Sequence, residues 1–338
     1  MNVLENTQPL PEPKPPSIEW ILRMIGDDLE KVDREFHQSL SSEVSIRSDI
    51  RERLVRGGKR FRPILLLLSA RLCDYQGNQH ISMASHIEFI HTATLLHDDV
   101  VDGAEMRRGK KSVNLEWGNE ESVLVGDFLF TKSFSLMVES GNWKILQIIA
   151  RATTVMAEGE LQELMKTNDL SLTEEGYLSI ITRKTASLIS SATQIGALLG
   201  NVSAEKENAL IDFGMDVGIA FQLIDDNLDY TSREEEFGKK IGIDLQDGKI
   251  TLPLIFAMSH CDARERSFIQ ETVDSHPISK GAFLRVVEII ERHRGIEYTW
   301  EKAKEYIELA KKQLQIFPDS RDRDALRALA DYVIERKL

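Results

Sequence analysis

Two copies of one acidic pattern constrain the fold of this chain more than any other feature. Each copy spells D-D-x-x-D and directly follows an apolar run, so each extends a helix that is otherwise buried. The copies consist of Asp98, Asp99 and Asp102, and of Asp225, Asp226 and Asp229. Carboxylates four residues apart share one helix face, and acidic groups that prolong a buried face are costly without a partner. The two clusters therefore predict one cation site between two facing helices, whereas a single cluster would leave a solvated helix end as an open alternative.

Basic residues accompany both clusters. Hard carboxylate oxygens favour Mg²⁺, which binds through a few carboxylates together with phosphate oxygens of a substrate. Guanidinium groups bind phosphate bidentately, and a helix N-terminus also favours it. The candidate phosphate-binding groups are Lys59, Arg62, Arg107, Arg108, Lys184 and Lys239. Each alone is more typical of a solvated surface, but together they predict a pocket for two phosphorylated ligands, one held through Mg²⁺ and one by cations directly.

Composition favours helices and excludes several classes of protein. The chain of 338 residues has 42% hydrophobic residues, only 20 Gly and 9 Pro, and no alternating strand pattern. Its net charge of −13 argues against nucleic-acid binding. No apolar run is long enough for a transmembrane segment, and the two cysteines, Cys73 and Cys261, form neither a metal spacing nor a disulfide framework. We expect a cytoplasmic all-α protein, with peripheral membrane contact left open.

The chain reads as one helical domain, residues 17–338, after a flexible Pro-rich tail, residues 1–16. Ser17 is a candidate N-cap for a helix reaching about Leu40, and a second helix is expected at 44–55. Further helices are expected at 64–72, 81–101, 121–138, 144–166, 174–199 and 204–230. The last third is expected to hold shorter helices broken at Pro253, Pro277, Gly295 and Pro318.

Two histidines near the first aspartate cluster can each be interpreted in two ways. His91 lies on the same helix face as Asp98, so it is either a phosphate-binding group or a buried, satisfied histidine. His97 is more typical of a packed residue than of a metal ligand. Ala93 and Thr94 lie on the turns below the aspartates, with Ala93 roughly 7 Å deeper than Asp98.

No nucleophile elbow, P-loop, dinucleotide fingerprint or zinc motif occurs in the sequence.

The motifs resemble those of the trans-type polyprenyl diphosphate synthases, most closely the bacterial long-chain, octaprenyl-type enzymes. The resemblance extends over about residues 20–335. The motifs that carry it are G-G-K-R-F-R-P, H-D-D-V-V-D with M-R-R-G, G-D-F-L at Gly126, A-E-G-E at Ala157, K-T-A at Lys184, F-Q-L-I-D-D-N-L-D-Y, and G-K…G-x-D-L…G-K-x-T-L-P from Gly238. Relatives often carry glutamate where this chain has Asp247, a change that keeps the charge.

The resemblance implies a helical bundle around a deep cavity, usually in a homodimer, that joins isopentenyl diphosphate to an allylic diphosphate primer. It implies Mg²⁺ ligands among the six aspartates, with Asp98, Asp102 and Asp225 at the usual ligand positions. Arg107, Lys184 and Lys239 match the allylic diphosphate site, and Thr185 and Gln222 match polar groups at the reacting carbons. The isopentenyl diphosphate site is matched by Lys59, Arg62, His91 and Arg108.

The resemblance also bears on product length. Relatives that stop at fifteen carbons commonly place an aromatic residue where this chain has Ala93 and Thr94, and Met137 on the next helix is a candidate for a deeper floor. A tunnel that stays open roughly 7 Å below Asp98 predicts a product of roughly six to ten isoprene units, and the resemblance implies about eight. Such long-chain products usually become quinone side chains in bacteria.

Three alternatives differ from this reading. A short-chain farnesyl or geranylgeranyl diphosphate synthase would share the site but block the tunnel. A terpene cyclase or head-to-head synthase usually lacks the second D-D-x-x-D in this form and the basic pair at Lys59 and Arg62. A non-catalytic partner subunit of a heteromeric synthase would be expected to lose aspartates, and here both clusters are whole.

Overall fold

The computed structural model describes residues 17–40, 50, 54, 60–107, 110–231, 242–275 and 277–336, with the backbone alone at Arg107 and Lys110. Helices make up nearly all of it, which confirms the all-α prediction. The described strands form one minimal antiparallel hairpin, in which β1 (Met106–Arg107) pairs with β2 (Lys110–Lys111). None of the described helices is both long and apolar enough to cross a membrane.

The helices of the first half run from Ile18 to Leu199. They are α1 (Ile18–Met24), α2 (Gly26–Ser39), α3 (Phe61–Leu72), α4 (Gln79–Val101), α5 (Val113–Trp117), α6 (Asn119–Glu139), α7 (Trp143–Met165), α8 (Glu174–Ile181) and α9 (Ser187–Leu199). A π-helical turn, Thr182–Ala186, joins α8 to α9.

The helices of the second half begin with the longest one. They are α10 (Ala204–Thr231), α11 (Ile243–Gln246), α12 (Leu252–His260), α13 (Ala263–Val273), α14 (Lys280–Arg292), α15 (Gly295–Gln313) and α16 (Arg321–Glu335). A short 3₁₀ turn, Leu314–Ile316, follows α15.

The centre of the bundle is formed by α3, α9 and α10. The run 64–68 in α3 is apolar on every side, and a helix of that kind must be buried. Glycines allow close approach between these helices: a Cβ at Gly196 would lie 2.7 Å from the backbone nitrogen of Ala70, and one at Gly214 would lie 2.7 Å from Cα of Ser190. A second apolar cluster joins α2, α4 and α6, and in it the rings of Phe36 and Phe89 stack at 4.3 Å. This packing fixes α4 and α10, the two helices that carry the aspartates.

The structure corrects several expected helix ends. The first helix is broken at Ile25 rather than continuous to Leu40, and the π-helical turn interrupts the helix expected at 174–199. The breaks expected at Pro253 and Gly295 are confirmed: Pro253 lies in the first turn of α12 and Gly295 is the first residue of α15, and proline is favoured where a helix begins. The helix expected at 44–55 lies outside the described residues, apart from the buried Ile50 and Leu54.

Candidate active site

A cavity of about 890 Å³ opens between α4, α6, α7, α8, α10 and the segment that follows α10. Its lining includes both charged and apolar side chains, and the charged and polar ones around the two aspartate motifs are called the polar end. The polar end includes Asp98, Asp102, Glu160, Glu163, Lys184, Gln222, Asp225, Asp226, Asp244 and Lys249. The apolar walls include Leu95, Phe130, Met156, Leu161, Ile180, Ile181, Phe221 and Ile250. Both aspartate motifs therefore contribute to one site, as the repeated spacing predicts.

The first motif presents two of its three carboxylates to this cavity. Asp98 and Asp102 line it, four residues apart on one face of the end of α4. Asp99 is turned away and is only 2% exposed, because the next residue on a helix points about 100° away. Carboxylates at a helix C-terminus also face the negative end of the helix dipole. The dipole adds to the repulsion between Asp98 and Asp102 and so increases the need for a cation beside them.

The second motif also presents two of its three carboxylates, but these are the first and second rather than the first and third. Asp225 and Asp226 line the cavity. The carboxylate of Asp229 instead accepts the backbone N–H groups of Ile243 at 3.2 Å and Asp244 at 3.0 Å. Asp229 thus holds the start of α11 against α10, and through α11 it positions Asp244 on the cavity wall.

A chain of hydrogen bonds fixes Asp226. The hydroxyl of Thr185 donates to Oε1 of Gln222 at 2.8 Å, and Nε2 of Gln222 donates to Asp226 at 2.7 Å. The hydroxyl of Tyr177 donates to the other oxygen of Asp226 at 2.5 Å. Burial, helped by the charge of Asp225, raises the pKa of Asp226 to about 7, against the lowering effect of the hydrogen bonds from Tyr177 and Gln222. A nearby cation would restore the charged form.

Lys184 supplies one such charge from the π-helical turn. Its ammonium group lies 2.9 Å from Glu160 and 2.5 Å from Glu163, both on α7. Burial alone would lower the pKa of Lys184, but the carboxylates of Glu163, Glu160 and Asp98 raise it overall. The close approach of α7 requires Gly159, because a Cβ there would lie 2.7 Å from the backbone nitrogen of Lys184. A π-helical turn of this kind is frequent at functional sites.

Lys249 is a second buried cation, and sequence reasoning did not single it out. Its ammonium group lies 2.7 Å from Asp102. Burial opposes the charge on Lys249, but Glu163 and Asp102 raise its pKa overall. The loop before it is held by a hydrogen bond of 2.8 Å from the backbone N–H of Asn168 to the carbonyl of Gly248.

Some of the remaining candidate cations line the cavity, and the others lie wholly or in part outside the described residues. Arg62, in the first turn of α3, and His91, on α4, both line the cavity. Lys59, Arg108 and Lys239 lie outside the described residues, and for Arg107 only the backbone, in β1, is described.

The three candidate chain-length residues do not lie together. Thr94 lines the cavity, since it precedes Asp98 by four residues. Ala93 is fully buried in the second apolar cluster, because one residue earlier points to another side of α4. Met137 is 1% exposed and belongs to the main core rather than to the cavity lining. The structure thus places Thr94, but not Ala93 or Met137, on the wall.

The carboxylates fit a hard divalent cation. No group of three or more His, Cys, Asp or Glu side chains converges on a single point within the described part of the chain. Mg²⁺ suits such an open arrangement, since it binds through one or two carboxylates and completes its shell with water and substrate phosphate. Asp102 and Asp225 are paired with Lys249 and Arg336, the latter at 2.9 Å. The site therefore carries carboxylates that already bind cationic groups.

The model of the family described as polyprenyl synthetase matches residues 45–290. The chain belongs to this family. It is 41% identical over 323 residues to an octaprenyl diphosphate synthase of Escherichia coli strain K12, covering 95% of this chain and 99% of that one. An octaprenyl diphosphate synthase of Haemophilus influenzae is 40% identical over 321 residues, covering 95% and 97%. The family predicted from the motifs is confirmed.

A solved structure has the same fold. The polyprenyl synthase from Caulobacter crescentus CB15, complexed with calcium and isoprenyl diphosphate, matches with a TM-score of 0.90 and 40% identity, covering 96% of this chain and all of that one. That protein therefore holds calcium and isoprenyl diphosphate on this fold. In the described chain, carboxylates and cations line the same cavity as the apolar side chains.

Proposed function

We propose that the protein is an Mg²⁺-dependent trans-prenyltransferase that extends an allylic diphosphate with successive isopentenyl diphosphates to a long, octaprenyl-like chain. The observation that carries the proposal is the meeting of both aspartate motifs at the polar end of one apolar cavity. The near full-length likeness to octaprenyl diphosphate synthases supports the long product.

The charge and position of each residue in the site indicate its role. Bound Mg²⁺ would neutralise the departing diphosphate, and Asp98, Asp102, Asp225 and Asp226 offer the oxygens that would hold it. Lys184, with Arg107 and Lys239 from the motif match, would bind the same diphosphate and stabilise the charge that develops as the carbon–oxygen bond breaks. The isopentenyl double bond then attacks the allylic cation, and a proton passes to the released diphosphate.

Other residues would orient the second substrate and shield the cation. Arg62 and His91, with Lys59 and Arg108 from the motif match, would hold the diphosphate of isopentenyl diphosphate. The oxygen atoms of Thr185 and Gln222 lie on the cavity wall, fixed by their mutual hydrogen bond, and would face the positive carbon. The growing chain would extend past Thr94 and Leu95 along the apolar walls, which exclude water from the cation.

A homodimer is the second part of the proposal. Several large apolar side chains on α6 and α7 are exposed. They are Leu124, Val138, Trp143, Leu161, Leu164 and Met165, exposed by 53–83%. Trp143 and Leu161 are five full turns apart, so they share one face of α7. Exposed apolar side chains clustered on neighbouring helices are typical of an interface, and we propose that a second copy of the chain covers them.

We propose further that residues 17–338 act as one domain in the cytoplasm. Both Cys73 and Cys261 are free thiols in the structure, which suits a reducing compartment. Transient contact with a membrane would allow the apolar product to leave. Quinone side chains are the destination that the octaprenyl length supports.

The elongation assay tests the enzymatic proposal. Purified protein is incubated with Mg²⁺, farnesyl diphosphate and labelled isopentenyl diphosphate, and the products are separated by chain length. A ladder that ends near octaprenyl is expected. A ladder that ends at fifteen or twenty carbons would identify a short-chain synthase, and no incorporation would identify a non-catalytic subunit.

A further inference from the structure

Arg60 has an unusual backbone and a buried charge at the start of α3. Its φ angle is 50°, in the left-handed region that residues other than glycine rarely adopt. It is only 9% exposed. Two unfavourable features at one residue indicate that its side chain makes contacts the fold requires.

Those contacts join three helices. The guanidinium group of Arg60 lies 2.9 Å from Glu88 on α4 and 2.9 Å from Asp33 on α2. It also lies over the ring of Phe36, 5.2 Å from the ring centre. Glu88 is itself 4% exposed, so this ion pair is buried. The planar fork of arginine suits such an arrangement, since separate nitrogens bind separate carboxylates at fixed angles.

Arg60 is linked to two residues that line the cavity, one on α3 and one on α4. Its carbonyl accepts the first hydrogen bond of α3, from the N–H of Ile64 at 2.9 Å, and Arg62 follows in the first turn. Glu88 precedes His91 by three residues, which is about one turn of α4. Arg62 and His91 both line the cavity. The contact between Arg60 and Glu88 therefore joins the helix start that carries Arg62 to the turn that precedes His91.

We propose that Arg60 is a positioning residue for the diphosphate subsite formed by Arg62 and His91, the subsite that works without metal. It fixes the separation of these two groups and does not itself touch substrate. The inference rests on the proposed function, since it assigns Arg62 and His91 to isopentenyl diphosphate.

Arg60→Gly tests the inference with little disturbance of the backbone, because glycine adopts a φ of 50° readily. Arg294→Gly is the matched control, since Arg294 is also the residue before a helix, has a φ of 61° and is exposed. Two quantities are measured: KM for each substrate with kcat, and the Kd of isopentenyl diphosphate in EDTA by calorimetry. A displacement of about 1 Å can weaken a site by about a hundred-fold.

For Arg60→Gly we expect KM and Kd for isopentenyl diphosphate to rise by about ten-fold to a hundred-fold. KM for the allylic diphosphate and kcat should stay within about two-fold of wild type, and Arg60→Lys should recover part of the loss because it keeps the charge. Equal changes in both KM values, or an unchanged Kd, would overturn the inference.

Two further results separate the possible failures. If the wild-type protein incorporates no isopentenyl diphosphate, the proposed function fails; if it elongates and Arg60→Gly behaves the same, only the role of Arg60 fails. Should Arg60→Gly not fold, Glu88→Gln serves in its place, since it keeps the shape and removes the buried charge pair. The same selective rise in KM is expected from it, and parallel changes in both KM values would again contradict the proposal.

Discussion

The ammonium group of Lys249 lies 2.7 Å from the carboxylate of Asp102, although the two residues are 147 positions apart in the chain. Asp102 ends the helix of the first aspartate motif, and Lys249 lies in the loop beyond the second. The pair is therefore a direct contact between the two halves of the site. It also places a buried positive charge beside the carboxylates that the proposal assigns to Mg²⁺ and diphosphate.

Replacing Lys249 with glutamine should lower kcat/KM for the allylic diphosphate by about a hundred-fold, because one donor is removed from the developing charge of the diphosphate. Steady-state kinetics at saturating Mg²⁺ would measure this loss in kcat/KM. Lys311→Gln is the control, since Lys311 forms ion pairs with Asp331 and Glu308 away from the cavity. An activity of Lys249→Gln equal to that of this control would show that Lys249 has no part in diphosphate binding.

Arg336 forms an ion pair with Asp225. Its guanidinium group lies 2.9 Å from Asp225 and 4.0 Å above the ring of Phe221. A cation paired with a metal ligand competes with the metal, so Arg336→Gln should tighten the binding of Mg²⁺ to the free protein. Since Asp225 is half-exposed, the gain should be about two-fold to five-fold.

Calorimetric titration of the free protein with MgCl₂ measures this effect directly. Arg71→Gln is a suitable control, because it breaks an ion pair of 2.8 Å with Asp322, also on α16 but at its other end. Weaker Mg²⁺ binding in Arg336→Gln than in the control would mean that Arg336 supports the metal site rather than competing for it.

Helix geometry explains which parts of the site could be predicted from the sequence. The spacing of four residues placed Asp98 and Asp102 on one face, and the repeat of that spacing placed Asp225 in the same cavity. The same geometry turns Asp99 away, a consequence that was not drawn from the motif. Similarly, Ala93 and Thr94 were grouped by depth, whereas the helix rotation between neighbours places them on different sides.

The charged partners of the aspartates and of Lys184 could not be predicted from helix geometry. Lys249 and Arg336 contact aspartates that are 147 and 111 positions away, and no local pattern encodes contacts over that distance. Glu160 and Glu163 lie in or beside the A-E-G-E motif, yet only the fold shows that they bind Lys184. The π-helical turn was likewise invisible, because T-R-K-T-A has ordinary helix composition.

Product length should respond to Thr94 rather than to Ala93. Thr94→Tyr places a ring in the cavity and should shorten the product ladder, with folding unaffected. Ala93→Tyr instead adds a ring to a fully packed apolar cluster, which typically costs about 1–3 kcal/mol of stability. Product analysis and denaturant unfolding of both variants separate the two effects. A shorter product ladder from Ala93→Tyr with unchanged stability would show that Ala93 does face the cavity.

Buried His86 should make stability depend on pH. Burial lowers its pKa from 6.5 to about 4, and among the described residues its Nδ1 has no hydrogen-bond partner. The unfolded chain therefore binds more protons than the folded chain between these values, so stability is full above pH 6.5 and falls as pH drops toward 4. The effect is at most about 3 kcal/mol.

Urea unfolding at pH 7.5 and pH 5 would measure the dependence in wild type and His86→Leu. The variant should lose less stability than wild type on acidification. His260→Gln, at an exposed position on α12, is the control and should follow wild type. A difference between His86→Leu and wild type that stays constant with pH would show that His86 does not titrate in this range.

The central claim is that the two aspartate motifs share one metal-dependent diphosphate site across the cavity. Its most direct test is the Kd of an unreactive allylic thiolodiphosphate, measured with Mg²⁺ and with EDTA in wild type, Asp98→Asn, Asp225→Asn and the double variant. We expect tight binding by wild type only with Mg²⁺. We also expect a loss of at least about ten-fold in each single variant, and a smaller loss in the double variant than the two single losses combined, because residues that act as a unit are not additive. Equal binding in EDTA, or losses that add fully, would contradict a shared site.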